Sequence, residues 1–128
     1  MKHDFLIDKR KIIVTAQIKG INDFREFKLI LDTGASKSVI DEGVALRLGF
    51  DIKQFKKDRL MTVNGGINAR ILKLPKFSLL GKDLVNFEVN VLNLPPQILY
   101  FAHGLVGMDF LLKFNNVKFD FDKKVIET

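Results

Sequence analysis

The sequence predicts a mainly β protein, a closed or barrel-like sheet carrying one or two short helices. Three observations point there. Short runs of alternating apolar and polar residues recur between segments of turn chemistry. An Asn-Gly-Gly lies between two β-prone arms, the strongest local hairpin signal in the chain. In the first half only "DEGVALRLG" has the punctuation of a helix. A length of 128 residues fits a single domain spanning residues 1–128. With 47% hydrophobic and 28% charged residues the composition is globular, and twelve Phe with no Trp predict an aliphatic and phenylalanine core.

"KIIVTAQIKG" alternates around Ile13, Thr15 and Gln17 and ends in the turn composition Gly-Ile-Asn-Asp. "REFKLIL" then supplies the second strand of a hairpin, which ends at Asp32. The short apolar "SVI" leads into the helix, with Asp41 as N-cap, Val44, Ala45 and Leu48 on one face, and Gly49 at its end. The hairpin "RLMTVNGGINARILKLPKFSLLG" has long arms, and Pro75, which has no N–H for a central ladder, marks an edge or a bend. "GKD" turns into "LVNFEVNVLNL", with Leu84, Asn86, Glu88 and Asn90 on one side and Val85, Phe87, Val89 and Val91 on the other. Pro95 and Pro96 close that strand. In "HGLVGMDFLLKF" a short helical stretch begins near Asp109, with Asp109 as its N-cap. "NNVKFDFDKKVIET" forms a last hairpin, Val117, Phe119 and Phe121 facing one way and Lys118, Asp120 and Asp122 the other. The sequence contains no internal repeat, linker or low-complexity segment.

Several function classes are excluded or disfavoured by composition. The absence of cysteine rules out a disulfide framework, a thiolate zinc site and a cysteine nucleophile. His3 and His103 lack metal-ligand spacing, and His103 beside Gly104 reads as loop or rim, so no metal and no cofactor is expected. The net charge of +6 comes from short clusters beside Asp residues (Lys9, Arg10, Lys11; Lys53, Lys56, Lys57, Arg59; Lys123, Lys124). With little aromatic interleaving they read as solvated turns and edges, and no nucleic acid partner is expected. "MKHDFLIDKRKIIV" has neither a continuous signal-peptide core nor a membrane segment, so a soluble, cytoplasmic protein is expected.

The segment with chemical content is "LILDTGASKSVI". An aspartate at the end of a buried strand is held in a fixed position. Thr33 can hydrogen-bond across the following loop, and Gly34 lets its N–H approach a carboxylate oxygen where a Cβ would intrude. No other Asp has this setting, since Asp120 and Asp122 alternate with phenylalanines on an outward face and Asp41 and Asp51 bracket the short helix. No Walker-type glycine loop or clustered carboxylates accompany Asp32, which sets aside phosphoryl-transfer chemistry.

In an ordered set, "LILDTGASKSVI", "DEGVALRLG", "TVNGGINA" and "GLVGMDFL" resemble the retropepsin-like aspartic proteases, over roughly residues 11–126. They correspond to the catalytic strand and loop, the short helix that often follows in bacterial members, the glycine-tipped flap, and the hydrophobic-hydrophobic-Gly element with its helix. The resemblance implies a closed, barrel-like acid-protease fold with one lobe per chain. Asp32 becomes the catalytic aspartate, Thr33 the residue whose hydroxyl locks two active-site loops together, and Gly34 the backbone donor, with Ala35 and Ser36 continuing the supporting loop. Asn64, Gly65 and Gly66 become the flap tip, flanked by the apolar Val63 and Ile67, while Leu105, Val106 and Gly107 brace the catalytic loop from below. Ala35 stands where pepsin-like relatives usually have Ser or Thr, so one hydroxyl that could stabilise an ionised carboxylate is missing.

The implied mechanism needs two aspartates that share one proton, because like charges at about 3 Å cannot both ionise. With a single Asp-Thr-Gly the second must come from a second copy, so the resemblance implies a homodimeric aspartic endopeptidase acting on peptide or protein substrates. Terminal strands in the dimer interface, and hydrophobic substrate residues beside Val63 and Ile67, follow as expectations. The alternative is a catalytically weak or inactive dimer of the same fold that binds peptides or a partner protein.

Overall fold

The computed structural model describes residues 1–128, apart from the side chain of Thr62. Its strands are β1 (Lys2–Asp4), β2 (Leu6–Asp8), β3 (Lys11–Lys19), β4 (Phe24–Leu31), β5 (Val39–Asp41), β6 (Lys57–Thr62), β7 (Gly65–Leu79), β8 (Lys82–Leu92), β9 (Gly104–Val106), β10 (Lys118–Asp120) and β11 (Val125–Glu127). The helices are α1 (Glu42–Arg47), α2 (Pro96–Leu99) and α3 (Met108–Leu111), and a 3-10 turn spans Ile52–Gln54. Among the described residues no helix is long and apolar enough to cross a membrane.

Alternation builds the first hairpin as expected. Val14, Ala16 and Ile18 are buried while Thr15 and Gln17 are exposed, and β3 pairs antiparallel with β4 from Ile13↔Ile30 to Lys19↔Phe24. At its end β4 stops alternating, and Leu29, Ile30 and Leu31 are all buried. The cause is its place in the sheet, between β3 and β9. β9 pairs parallel with β4 (Leu31↔Val106) and antiparallel with β5 (Val39↔Leu105). β5 pairs with β8, β8 with β7, and β7 returns to β3 at Ile18↔Phe77. Six strands thus close into a ring with β2 and β6 attached outside it, and closure removes the unpaired edges an open sheet would present.

The ring encloses Val14, Ile18, Leu29, Leu72, Leu74, Phe77 and Val89, with α3 sealing one end through Phe110. Phe77, Phe87 and Phe110 pack against one another at centroid separations of 5.0 to 6.2 Å. A smaller cluster, Val39, Ala69, Leu92 and Leu94 with Leu60 and Ile98 against it, lies apart from this core. Helix α1 matches its sequence signals: the Asp41 carboxylate accepts from Gly43 N at 2.9 Å, Val44, Ala45 and Leu48 are buried, and Gly49 follows with φ +88°.

Strand β7 changes partner along its length, pairing with β6 over Gly65–Arg70 and with β3 over Lys76–Ser78. Pro75 falls between the two, where no neighbour on that side needs its missing N–H, and this is the bend expected of it. Opposite it Asn86 has φ +55°, which breaks the alternation of β8. Val85, expected to share a side with the buried Phe87, Val89 and Val91, is therefore 71% exposed. Asn90, expected on one side with Leu84, Asn86 and Glu88, is fully buried, because β8 there is flanked by β5 and β7.

The two chain ends form a separate three-stranded sheet in the order β1-β11-β10. Nothing in residues 1–10 announced β1 and β2, and the turn joining β2 to β3 is made by Lys9 and Arg10 at φ 43° and 68°. Such angles favour Asn and Gly, which is why the turn was illegible. Val117 and Phe119 are half-buried against the core, whereas Phe121, expected to share their face, lies in the turn after β10 and is 59% exposed. The charge clusters at Lys9–Arg10, Lys56–Lys57 and Lys123–Lys124 are exposed.

Candidate active site

Asp32 leaves β4 where burial on both sides has removed the strand's freedom, and its own N–H donates to Val106 O at 2.9 Å. The side chain is half-buried. Gly34 N donates to its Oδ1 at 2.9 Å, and a Cβ at position 34 would lie 3.2 Å from that oxygen, tighter than ordinary contact. Ala35 N donates back to Asp32 O at 3.2 Å. Thr33 and Ser36 are exposed and Ala35 is half-buried. The loop is a tight turn with one backbone donor aimed at the carboxylate.

From below the loop is tied to the segment after β9. Leu105 and Val106 lie between β4 and β5, the strands that enter and leave the loop. Met108 N donates to Ala35 O at 2.8 Å and Asp109 N to Ser36 O at 3.1 Å. A Cβ on Gly107 would overlap the Ala35 carbonyl, so the close approach requires glycine. Asp109 is not the N-cap of α3, a place taken by Gly107. Its carboxylate accepts from Ser38 Oγ at 2.7 Å, Ser38 N at 2.8 Å and Phe110 N at 2.9 Å, and Ser38 Oγ in turn accepts from Gly107 N at 3.0 Å. Sequence reasoning missed this Ser38–Asp109 lock, because residues 71 positions apart carry no local signal of meeting.

Asp32 opens into a cavity of about 410 Å3. Gly34, Ala35, Ser36 and Leu105 line it beside the aspartate, and Val63 and Ile67 line it from the β6–β7 hairpin, so the structure brings the sequence-predicted residues of three segments to one cleft. Thr33, Asn64, Gly65, Gly66, Val106 and Gly107 are outside the lining. The hairpin tip differs by one position from the expected Asn64–Gly66. Thr62 pairs with Gly65, so Val63 and Asn64 make the turn, while Gly65 (φ +110°) and Gly66 begin the return strand. Val63 is fully exposed there. The unforeseen lining is largely apolar, with Val39, Leu60, Met61, Leu92, Leu94 and Ile98, joined by Lys37. Asp32 is the one acidic side chain on that lining among the described residues.

His103 lies elsewhere, in the loop before β9 as expected, half-buried with its ring edge-on to Phe27 at 5.8 Å. Burial and then the Arg47 charge lower its pKa from 6.5, and the Asp41 carboxylate opposes them. Among the described residues no group of three or more His, Asp or Glu side chains comes together as a metal site would require.

The chain is similar to proteins already known. It matches the family described as aspartyl protease over residues 14–110. Its structure is similar to that of a retropepsin-like aspartic protease from Rickettsia conorii, with a TM-score of 0.74 and 25% sequence identity over 98% of this chain and 88% of that one. A search of curated protein sequences gives no match. The matched segment contains the β4 end, the Asp32 loop, the β6–β7 hairpin and the Leu105–Gly107 brace, and by that match the chain belongs to the aspartyl protease family, on a retropepsin-like fold.

Proposed function

We infer that the protein is an aspartic endopeptidase, formed by residues 1–128 as one domain and active as a homodimer. The observation that carries this reading is the isolation of Asp32, one carboxylate on an apolar cleft beneath a hairpin, in a family whose chemistry needs two. A two-fold axis passing between two copies of the loop supplies the second Asp32. One aspartate, ionised and held by the Gly34 N–H, takes a proton from water as the water attacks the scissile carbonyl. The other, protonated, gives its proton to the carbonyl oxygen. Collapse of the tetrahedral intermediate breaks the C–N bond as the leaving nitrogen is protonated.

The supporting roles follow from placement. Exposed Thr33 stands beside Asp32, where its hydroxyl can reach the loop of the second copy. Leu105, Val106 and Gly107 hold the loop through its backbone, with Ala35 and Ser36 offering the carbonyls that α3's first residues bind. The hairpin with Val63, Asn64, Gly65, Gly66 and Ile67 acts as the flap over a peptide, and its apolar lining favours hydrophobic residues next to the cleaved bond. Cleavage of a generic peptide library, abolished in Asp32→Asn, tests the reading. A dimer that binds peptides and cleaves none would favour a non-catalytic binding module instead.

A further inference from the structure

We propose that Lys37 is a specificity-determining residue that selects substrates with an acidic side chain on the flanks of the apolar residues being cleaved. This rests on the endopeptidase reading above and adds the substrate class. Lys37 lines the cleft with Asp32, and it is the one cation on that lining among the described residues. Its ammonium is half-buried and bonds Glu88 Oε1 at 3.3 Å. A single, partly solvated pair of this kind is weak and exchanges partners readily.

Glu88 does not depend on Lys37 alone. Lys73 stands directly across from it in the β7–β8 ladder, and Lys56 and Lys73 share a groove with it. Lys37 bonds this carboxylate, and Lys56 and Lys73 lie on the same groove as Glu88, so cations outnumber it on the surface next to the cleft. An incoming Asp or Glu side chain can take Lys37 while Lys73 remains beside Glu88. A lysine or arginine brought to the same place would meet that excess charge.

Lys37 lines the cleft together with Asp32 among mostly apolar side chains, so the acidic side chain is assigned to a flank of the scissile pair. In a symmetric dimer each copy contributes its own Lys37, which creates one acid-accepting subsite on each side of the cleaved bond. The preferred peptide carries apolar residues at the bond and an acidic residue on either flank.

The experiment compares kcat/KM for paired peptides that differ only by Glu, Gln or Lys at the flanking positions, drawn from a library already cleaved by the wild-type protein. Wild type should favour Glu over Gln by about five- to tenfold, less as salt rises, because the pair is partly screened. Lys37→Gln should bring the ratio towards one, and Lys37→Glu should invert it in favour of Lys. Each ratio is internal to one variant and does not depend on its absolute activity. Equal rates for Glu and Gln peptides in wild type would overturn the proposal, as would a preference retained in Lys37→Gln. Should the variants fold poorly, a wild-type preference insensitive to salt would also overturn it. Failure to cleave any peptide would instead defeat the endopeptidase reading and this inference with it.

Discussion

Among the described residues, one donor reaches the Asp32 carboxylate. Gly34 N–H reaches Oδ1 at 2.9 Å, and half-buried Ala35 offers no hydroxyl to add a second. A hydroxyl at position 35 would donate to the ionised form of the proposed dyad and favour it, so Ala35→Ser should move the pH optimum of cleavage downward. The pH profiles of the two forms decide this, and an unmoved or raised optimum would place Ala35 away from the dyad. His103 gives a stability test. Burial lowers its folded pKa from 6.5, so the unfolded chain binds the proton more readily, and stability is lost as pH falls from 6.5 towards the folded value. Urea denaturation at neutral and mildly acidic pH should show that loss, and His103→Gln should reduce it. Asp32, Thr33 and Gly34 could be read in sequence because their chemistry is local, a strand end and a tight turn. His103 could not, since its environment is set by Phe27, Arg47 and Asp41.

At the scale of elements, the loop and the hairpin should differ in rigidity. The loop is locked by the Asp109 carboxylate, which takes three hydrogen bonds, two of them from Ser38. Asp109→Ala removes the acceptor those donors share and should cost about 2–4 kcal/mol of stability, with Ser38→Ala costing about 1–2 kcal/mol. Denaturant titration measures both. The hairpin tip, with Val63 exposed and Gly65 at φ +110°, should exchange its amide hydrogens faster than β3 and β4 and become protected by a peptide inhibitor. Equal protection at the tip and in the central strands would argue against a flap. The β3–β4 hairpin, α1 and the bend at Pro75 were legible because alternation, caps and proline act within a few residues. The β9 insertion between β4 and β5 was not, since pairing across some 75 positions leaves no periodicity, although "GLVG" marked the segment. Val85 was misplaced because a positive φ at Asn86 interrupts the alternation that sequence reasoning extrapolates.

For the whole molecule, the ring of six strands explains how 128 residues hold an aspartate rigidly without a disulfide: the strands flanking the loop have neighbours on both sides. In the separate β1-β11-β10 sheet, β1 and β10 pair only with β11 among the described residues and Phe121 is exposed, a surface suited to a second copy. Sedimentation over a concentration series should show dimer. The central claim, that one site is built from two chains, is tested most directly by mixing wild-type and Asp32→Asn chains at fixed total concentration after co-refolding. If each site needs an aspartate from both copies, mixed dimers are inactive and activity falls as the square of the wild-type fraction. Activity that falls in direct proportion to that fraction would mean that each chain carries a complete site, and would contradict the account.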